Sequence, residues 1–212
     1  MPVNSSRDSI LHLISVVREK RQVLDVLSPD NSADIYKPVS PDPVTCFKNE
    51  LEAISGQCIL CENESDLYSK LKLFIQQKKV TFLYCRDLYI KGQLTVCNIP
   101  FSDSNADFET MQAGITGCEF LVSRTGSVLV SSASESGRQM NVFPPVHIVL
   151  AHVSQLVNYP EDALIAIQEK YGELLPSSIS TITGPSRTAD IEKTLVLGAH
   201  GPKEFVVFLS KV

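Results

Sequence analysis

The chain opens with apolar residues at helical spacing, which predict an amphipathic helix from Ser5 to Leu27. Residues 28–43 then hold four prolines among serines and aspartates, a composition typical of an extended linker. We therefore expect a helical arm with a Pro-rich linker over residues 1–43 and an α/β domain over residues 44–212. The pattern allows the arm to pack either on its own domain or on a second copy in a homodimer.

Helical and apolar stretches alternate at short intervals in the next segment. The spacing predicts helices over Thr45–Ser55 and Ser65–Lys79, each followed by a short strand, Gln57–Cys61 and Val80–Cys85. The second strand is nearly all apolar, which predicts burial on both of its faces. This alternation indicates parallel strands joined by right-handed crossovers. Residues 86–107 show no clear periodicity.

The second half of the chain is richer in strand patterns. Glu161–Tyr171 reads as a helix, with acidic residues at its start and Gly172 after its end. The predicted strands are Glu119–Ser123, Ser127–Ser131, Val146–Ala151, Ile179–Thr183 and Phe205–Leu209. We expect Ile179–Thr183 and Phe205–Leu209 to complete the sheet. Together these elements predict a single three-layer α/β domain with a mostly parallel central sheet.

Composition narrows the class of protein. The 212 residues are 43% hydrophobic and 20% charged, as expected of a globular domain. A net charge of −5 argues against nucleic acid as a partner, since its phosphates attract clustered Lys and Arg. No apolar run reaches membrane-spanning length, and no signal-peptide core follows the polar start. We expect a cytoplasmic protein whose six cysteines are reduced thiols.

One candidate site follows the strand at Ile179–Thr183. Gly184-Pro185 predicts a turn, and Ser186, Arg187 and Thr188 precede a short helix predicted from about Ala189. Backbone N–H groups at a helix start suit an anion, and the Arg187 guanidinium can grip one through two hydrogen bonds. We therefore predict that Gly184, Ser186, Arg187 and Thr188 bind a small carboxylate or phosphate.

Two further residues complete this candidate site. Asp190 would lie in the first turn of the predicted helix, where it suits the helix dipole and can orient Arg187. His200 stands in a second turn bracketed by Gly198 and Pro202 and is a candidate proton carrier. The simpler alternative is that Arg187 and Asp190 form a surface pair and His200 is a loop residue.

Two other arginines are candidate anion contacts. Arg124, Thr125 and Gly126 form a tight turn between two predicted strands, and ligands of open α/β sheets gather at loops beyond the carboxyl ends of strands. Arg138 follows a Ser-rich loop that ends at Gly137. The alternative for Arg124 is an exposed turn arginine without a ligand.

The cysteines and remaining histidines favour structural roles. Cys58 and Cys61 have the spacing of redox and metal pairs, but they fall in a predicted strand, where residues three apart face opposite sides. No second cysteine pair or histidine cluster completes a zinc site, so no metal site is predicted. His147, at a strand start, fits a structural histidine, whereas His152, at the other end of that strand, can reach a cleft.

Several common enzyme classes lack their motifs here. The sequence has no phosphate-binding loop, no dinucleotide glycine pattern and no Gly-x-Ser-x-Gly elbow. These absences argue against classical nucleotide hydrolysis, Rossmann hydride transfer and serine hydrolysis. The cysteine spacing also does not match an iron–sulfur cluster, so any clusters must lie on a partner.

Long segments of the chain resemble a known family. GPSRTADIE followed by LVLGAHGP, with GITGCEFLVSRTGSVLVSS and GRQMNVFPPVHIVLAH upstream, resembles the LUD-domain proteins of the lactate utilization protein C type. The resemblance is close from Asp107 onward and implies the fold shared by CoA transferases and sugar-phosphate isomerases. The family usually has a Glu before the Thr-Gly pair where this chain has Arg124. Because CoA transferases of this fold use a glutamate as the acyl carrier, that departure argues against covalent CoA transfer, and Glu119 falls within a predicted strand.

The resemblance implies a subunit of a cytoplasmic system that oxidises L-lactate to pyruvate. Such a subunit would bind a small anionic ligand and act beside iron–sulfur subunits, with no cofactor of its own. The alternative is a stand-alone enzyme of the same fold acting on a phosphorylated, CoA-linked or folate-like substrate. A third possibility is a scaffold that only assembles its partners.

Overall fold

The structure is a computed structural model that describes residues 6–19, 37–191 and 194–211. The chain divides after Lys37 into two units. The first contains helix α1 (Ser6–Glu19), which agrees with the start of the predicted arm. The rest of that predicted helix and most of the predicted linker lie outside the described residues. The second unit contains all the other elements.

The helices described in the second unit are α2 (Pro43–Ala53), α3 (Glu64–Gln77), α4 (Leu88–Val96) and α5 (Pro160–Tyr171). Three of these four helices begin and end close to their predicted bounds, and the fourth, α4, was not predicted. Helix α4 lies in the segment for which the sequence predicted no element. Its hydrophobic pattern is weak because only Ile90 and Leu94 are buried, whereas Leu88, Tyr89 and Val96 are exposed.

The strands form two sheets and a separate hairpin. The first five are β1 (Gln57–Cys61), β2 (Leu83–Cys85), β3 (Ala113–Thr116), β4 (Phe120–Val122) and β5 (Ser127–Ser131). The next three are β6 (Val146–His152), β7 (Leu156–Val157) and β8 (Ile179–Ile182). The last three are β9 (Arg187–Ile191), β10 (Thr194–Leu197) and β11 (Glu204–Ser210).

The central sheet has the strand order β1-β11-β6-β3-β2, and every neighbouring pair is parallel. Strand β11 is its most apolar member and shows how the sheet is buried. Val206 and Phe208 pack with helices α3 and α4 on one face. Phe205, Val207 and Leu209 pack on the other face with α2 and strands of the second sheet. This arrangement confirms the predicted α/β class and mostly parallel central sheet.

The second sheet corrects one prediction. We expected β8 to complete the central sheet, but β8 pairs antiparallel with β5 in a four-stranded sheet of order β7-β4-β5-β8. Val128 and Val130 face the central sheet, while Leu129 packs with Ala163 and Ile167 of α5. Alternate residues of β5 are therefore buried on both faces, so local periodicity did not distinguish this strand from a central one.

The predicted helix after Gly184 is absent, because residues 187–191 form strand β9. This strand pairs with β10 in a two-stranded antiparallel hairpin, with Leu197 opposite Arg187 and Val196 opposite Thr188. Two β-branched residues in β9, Thr188 and Ile191, and two in β10, Thr194 and Val196, favour extended backbone over helix. Consequently Ser186, Arg187 and Thr188 cannot form the predicted helix N-terminus, and Asp190 does not lie in a first helical turn.

Candidate functional site

A two-chambered cleft lies at the carboxyl ends of the central parallel strands. Leu150 to His152 end β6, Ser210 ends β11, Gly117 follows β3 and Asp87 follows β2. In open α/β sheets this edge is where ligands bind, because the strands end there and their loops diverge. The chambers adjoin, since Asp87 and Gly117 belong to the walls of both.

We call the larger cavity, of about 350 Å³, the apolar chamber. Its walls comprise Glu64, Leu67, Tyr68, Asp87, Tyr89, Ile90, Gly117, Leu150, Ala151, His152, Gln155 and Ser210. We call the smaller cavity, of about 200 Å³, the polar chamber. Its walls comprise Asp87, Gly117, Cys118, Glu119, Val130, Ser131, Ala133, Ser134, Lys170 and Tyr171.

Two helix starts supply the carboxylates of the apolar chamber. Asp87 caps helix α4, with Oδ1 accepting the Ile90 N–H at 3.0 Å. Glu64 begins helix α3 and accepts a 2.6 Å hydrogen bond from the Tyr89 hydroxyl, which links the two helix starts. That hydrogen bond, together with partial burial and the charge of Glu64, raises the pKa of Tyr89. Tyr89 is therefore a neutral donor at physiological pH.

Gln155 fixes the loop that separates the two chambers. Its Nε2 donates to the carbonyl oxygen of Cys118 at 2.7 Å, and its Oε1 accepts the backbone N–H of His152 at 2.8 Å. The end of β6 is thereby held against the loop after β3. His152 accepts the Ser154 N–H at Nδ1, which leaves Nε2 as the ring nitrogen that can face a ligand.

Glu119 is the central charged group of the polar chamber. It is 7% exposed and accepts hydrogen bonds from Ser131 Oγ at 2.6 Å, Lys170 Nζ at 2.7 Å and the Tyr171 hydroxyl at 2.7 Å. Burial opposes ionisation, but these three donors outweigh it and lower the pKa of Glu119. Glu119 is therefore ionised at neutral pH, and it in turn raises the pKa of Lys170.

Two observations concern a reactive cysteine and a metal ion as possible parts of this cleft. Desolvation raises the pKa of Cys118 to about 12, so its sulfur stays a thiol at neutral pH. Within residues 6–19, 37–191 and 194–211, no group of three or more His, Cys, Asp or Glu side chains could hold a metal ion. Among the same residues, no helix is long and apolar enough to cross a membrane.

The predicted turn residues lie at the opposite edge of the central sheet. The Ser186 N–H donates to the carbonyl oxygen of Pro202 at 2.8 Å, and the Gly198 N–H donates to that of Ser186 at 2.9 Å. The two predicted Gly/Pro turns therefore do meet. However, Lys203 and Glu204 donate to Pro145, immediately before β6 and β11 begin, so these turns lie at the amino ends of the strands.

The charged residues of that candidate site are arranged differently from the prediction. Arg187 is exposed on strand β9, with Thr188 beside it. His200 is exposed in the loop after β10. Gly184 has a φ of +78° and lies against Ile54, with the position of an added Cβ 3.0 Å from the Ile54 carbonyl oxygen. A side chain at position 184 would therefore crowd Ile54, so close packing accounts for this glycine.

The Arg124 turn is packed on helix α2. Arg124 forms an ion pair with Glu50. Gly126 has a φ of +60°, and an added Cβ would stand 2.3 Å from the backbone nitrogen of Leu51. Thr125 donates to Ser127 at 2.7 Å. Since this turn joins two antiparallel strands of the second sheet, its expected place at the carboxyl ends of parallel strands is wrong.

Arg138 lies four residues beyond Ser134, in the segment after the loop that supplies Ser131 and Ser134 to the polar chamber. Its guanidinium is exposed and donates to Ser177 Oγ at 2.7 Å. Cys58 and Cys61 lie in separate apolar clusters on opposite faces of the central sheet, as expected of residues three apart in a strand. Burial raises the pKa of Cys58 to about 12 and that of Cys61 to about 11.

Sequence reasoning missed most of the cleft. Asp87 carried a usable signal, because a helix-capping residue directly after a buried parallel strand lies at the ligand-binding edge. Glu119 was assigned to a strand, but it precedes β4 and faces the polar chamber. Lys170 carries no local signal in the last turn of α5, because its partner Glu119 is far from it in sequence. His152 does line the cleft, as its position at a strand end suggested.

These features define an α/β domain with a two-chambered cleft at the carboxyl edge of its parallel sheet. The particular family follows from comparison with known proteins. The chain belongs to the LUD-domain family, whose model matches residues 44–210.

Individual relatives agree with this assignment. Lactate utilization protein C of Bacillus licheniformis is 35% identical over 96 residues, covering 44% of this chain and 40% of that protein. Lactate utilization protein C of Shouchella clausii is 29% identical over 219 residues, covering 93% and 94%. The match thus spans about two fifths of the first relative's length.

A solved structure agrees in fold. The crystal structure of a DUF162 family protein from Deinococcus radiodurans aligns with a TM-score of 0.58 at 16% identity, covering 79% of this chain and 96% of that one. At this identity the likeness concerns the fold alone.

Proposed function

We propose that this LUD domain serves L-lactate utilization as a subunit of a cytoplasmic system that oxidises lactate to pyruvate. The small anionic ligand would be lactate itself, held in the polar chamber. The observation that carries this proposal is the Glu119–Lys170 ion pair in the wall of a small cavity at the ligand-binding edge. The names of the Bacillus and Shouchella relatives support the same process.

The ion pair matches the two functional groups of a 2-hydroxy acid. Lys170 can bind the substrate carboxylate, since its ammonium group has donors beyond the one used by Glu119. Glu119 is ionised and can accept a hydrogen bond from the substrate hydroxyl, which orients that group. Pyruvate lacks the hydroxyl donor, so the chamber would hold lactate more tightly than its product.

Oxidation of lactate to pyruvate releases two electrons and two protons, which need an acceptor. We propose that iron–sulfur clusters on partner subunits take the electrons, because the cysteines of this chain lack cluster spacing. Purification of the tagged protein from its native cells, with iron and acid-labile sulfide assays, tests this. A bound cysteine-rich iron–sulfur protein supports the proposal, whereas a free homodimer without iron contradicts it.

The ligand site is tested by a thermal-shift titration with L-lactate and pyruvate. A ligand at a hundred times its dissociation constant adds about 2.7 kcal/mol of stability, which raises the midpoint by several degrees. We expect Lys170→Met to abolish the lactate shift. Lys48→Met removes another lysine–glutamate pair, in which both side chains are exposed on α2, and should leave the shift intact.

Arg187→Ala distinguishes the two possible anion positions. If the turn at Gly184 to Thr188 binds lactate, this variant will lose the shift while Lys170→Met keeps it. If Lys170→Met alone loses the shift, the polar chamber is the site. No shift for the unmodified protein at any lactate concentration would contradict lactate binding by this chain.

A second candidate function is a stand-alone enzyme acting on a phosphorylated, CoA-linked or folate-like substrate. It is favoured by the apolar chamber, whose volume exceeds the needs of a three-carbon acid and suits the uncharged ring of such a substrate, with the anionic groups of that substrate outside the chamber. Saturable binding of one such compound by the isolated chain, with turnover, would establish it. Turnover of lactate only in the presence of an iron–sulfur partner would exclude it.

A further inference from the structure

The apolar chamber is too large and too apolar for lactate alone. Its volume of about 350 Å³ falls in the range of roughly 300–1,000 Å³ that is typical of pockets enclosing larger ligands. A three-carbon acid would leave most of this space to water, against walls formed by Leu67, Ile90 and Leu150. A ligand with an extended apolar surface would displace that water and would gain more binding free energy from its burial than lactate would.

The walls also favour a flat ring. Tyr68 is 4% exposed and belongs to the same apolar cluster as Leu67 and Ile90. Tyr89 stands at the start of α4, where its hydroxyl is held by Glu64 at 2.6 Å. Two tyrosine rings with aliphatic neighbours offer stacking and edge contacts to an aromatic ligand.

The charges of the chamber select against anions. Its described lining residues include the carboxylates of Glu64 and Asp87 but no Lys or Arg. A carboxylate or phosphate placed among them would lose hydration and meet like charge. A neutral ring with N–H donors would instead find acceptors.

Asp87 is the best-placed acceptor. Its Oδ1 is used to cap helix α4, which fixes the orientation of the carboxylate. Its Oδ2 points towards Gly117, 4.0 Å from where a Cβ would stand, in the wall that both chambers share. A rigidly held acceptor that is open to a cavity suits an amino or amide group of a ligand.

We propose that the apolar chamber binds a flat heteroaromatic ring that bears amino or amide N–H donors. Asp87 accepts from that donor, and the tyrosine rings contact the face and edge of the ligand. The occupied chamber would place the ring beside the polar chamber. This inference does not depend on lactate, because it concerns a separate cavity and its test contains no lactate.

The test uses two matched pairs of small probes with the complete chain, each followed by NMR titration or calorimetry. Adenosine and purine riboside differ by one amino group, and nicotinamide and nicotinate differ by an amide against a carboxylate. We expect adenosine to bind about tenfold more tightly than purine riboside, the effect of one hydrogen bond to a charged group. We expect nicotinamide to bind at least about tenfold more tightly than nicotinate, because nicotinate meets like charge.

The Asp87→Asn variant assigns the donor contact. Asparagine still caps helix α4, so the fold is retained while the charge and one acceptor are lost. In this variant the difference between adenosine and purine riboside should shrink to less than about threefold, as in a double-mutant cycle. Asp103→Asn, which alters an exposed aspartate paired with Lys91, is the control and should keep the full difference.

Several outcomes would overturn the proposal. They are failure of both adenosine and nicotinamide to bind, equal binding within either probe pair, or an undiminished adenosine preference in Asp87→Asn. If that variant does not fold, Glu64→Gln replaces it, because Glu64 is exposed on the rim. Glu64→Gln should then weaken the discrimination against nicotinate.

Discussion

Glu119 shows how one residue links stability to the proposed site. Its carboxylate accepts three hydrogen bonds while nearly all of its surface is buried. A buried carboxylate without hydrogen-bond partners costs stability, and so does a buried partner such as Ser131 that loses the carboxylate. The conformation of the polar chamber therefore depends on this carboxylate remaining charged.

We expect Glu119→Gln to lower the free energy of unfolding by about 1–3 kcal/mol, because the amide cannot satisfy all three donors. Urea denaturation at neutral pH measures this change. Glu204→Gln alters an exposed pair with Lys78 and should cost less than about 0.5 kcal/mol. Equal effects of the two substitutions would contradict the role assigned to Glu119.

The folded-state pKa of Glu119 is lowered, so its contribution has a defined pH dependence. The contribution is fully present above the ordinary value of 4.5 and is lost as the pH falls through the lower folded value. Glu119→Gln should remove this loss below pH 4.5 and leave the behaviour above that pH unchanged.

His147 provides a second pH dependence, in a different window. It is fully buried between strands and shares a 2.8 Å hydrogen bond with Thr116. Burial lowers its pKa from 6.5 to about 4, so the unfolded chain takes up a proton on this residue before the folded chain does. Stability is therefore complete above pH 6.5 and falls as the pH drops towards 4.

Between pH 7.5 and pH 5, we expect His147 to cost the protein about 2 kcal/mol of unfolding free energy. Urea denaturation at both pH values, repeated with His147→Phe, checks this. The variant should be less stable at pH 7.5, because Thr116 loses its partner, but should lack most of the pH dependence. An identical pH dependence in both proteins would show that other groups cause it.

At the scale of elements, the Arg124 turn acts as a contact between the second sheet and helix α2. Gly126 approaches the α2 backbone more closely than any side chain allows and has a positive φ. Arg124 adds the ion pair with Glu50 on the same helix. The Arg124 turn, which the sequence analysis treated as a candidate ligand loop, therefore also packs the second sheet against helix α2.

We expect Gly126→Ala to lower the free energy of unfolding by roughly 3 kcal/mol or more, because α2 must move and the alanine adopts a left-handed backbone. Gly137→Ala is the matched control, since Gly137 has a φ of +62° but nothing within 4 Å of an added Cβ. It should cost only about 1–2 kcal/mol. Similar denaturation midpoints for the two variants would contradict close packing at Gly126.

At the scale of the whole molecule, residues 38–212 contain both sheets, the two chambers and all four apolar clusters. A unit with this much internal packing is expected to fold alone. We predict that a chain truncated to residues 38–212 keeps the circular dichroism spectrum of an α/β domain. Its thermal midpoint should fall by no more than about 4 °C, the effect of roughly 1 kcal/mol in a domain of this size. Loss of cooperative unfolding would show that the first unit is required.

The sequence by itself determined the elements with strong local periodicity. Helices α3 and α5 and strands β1 and β6 lie within a few residues of their predicted bounds, because their patterns depend only on which side chains are buried. The resemblance in the second half of the chain likewise identified the family before the fold was known. The α/β class followed from the alternation of helices and strands.

Only the tertiary structure decided which strands pair and where the cleft lies. Strand pairing is a contact between segments that are distant in sequence. The hydrophobic pattern of β8 therefore did not indicate whether its partner would be β5 or a strand of the central sheet. The cleft collects residues from Glu64 to Ser210 because parallel strands end at one edge, and no local spacing records that convergence. The pairing of Glu119 with Lys170, and the place of Ser186 and Arg187 at the opposite edge, are consequences of that same topology.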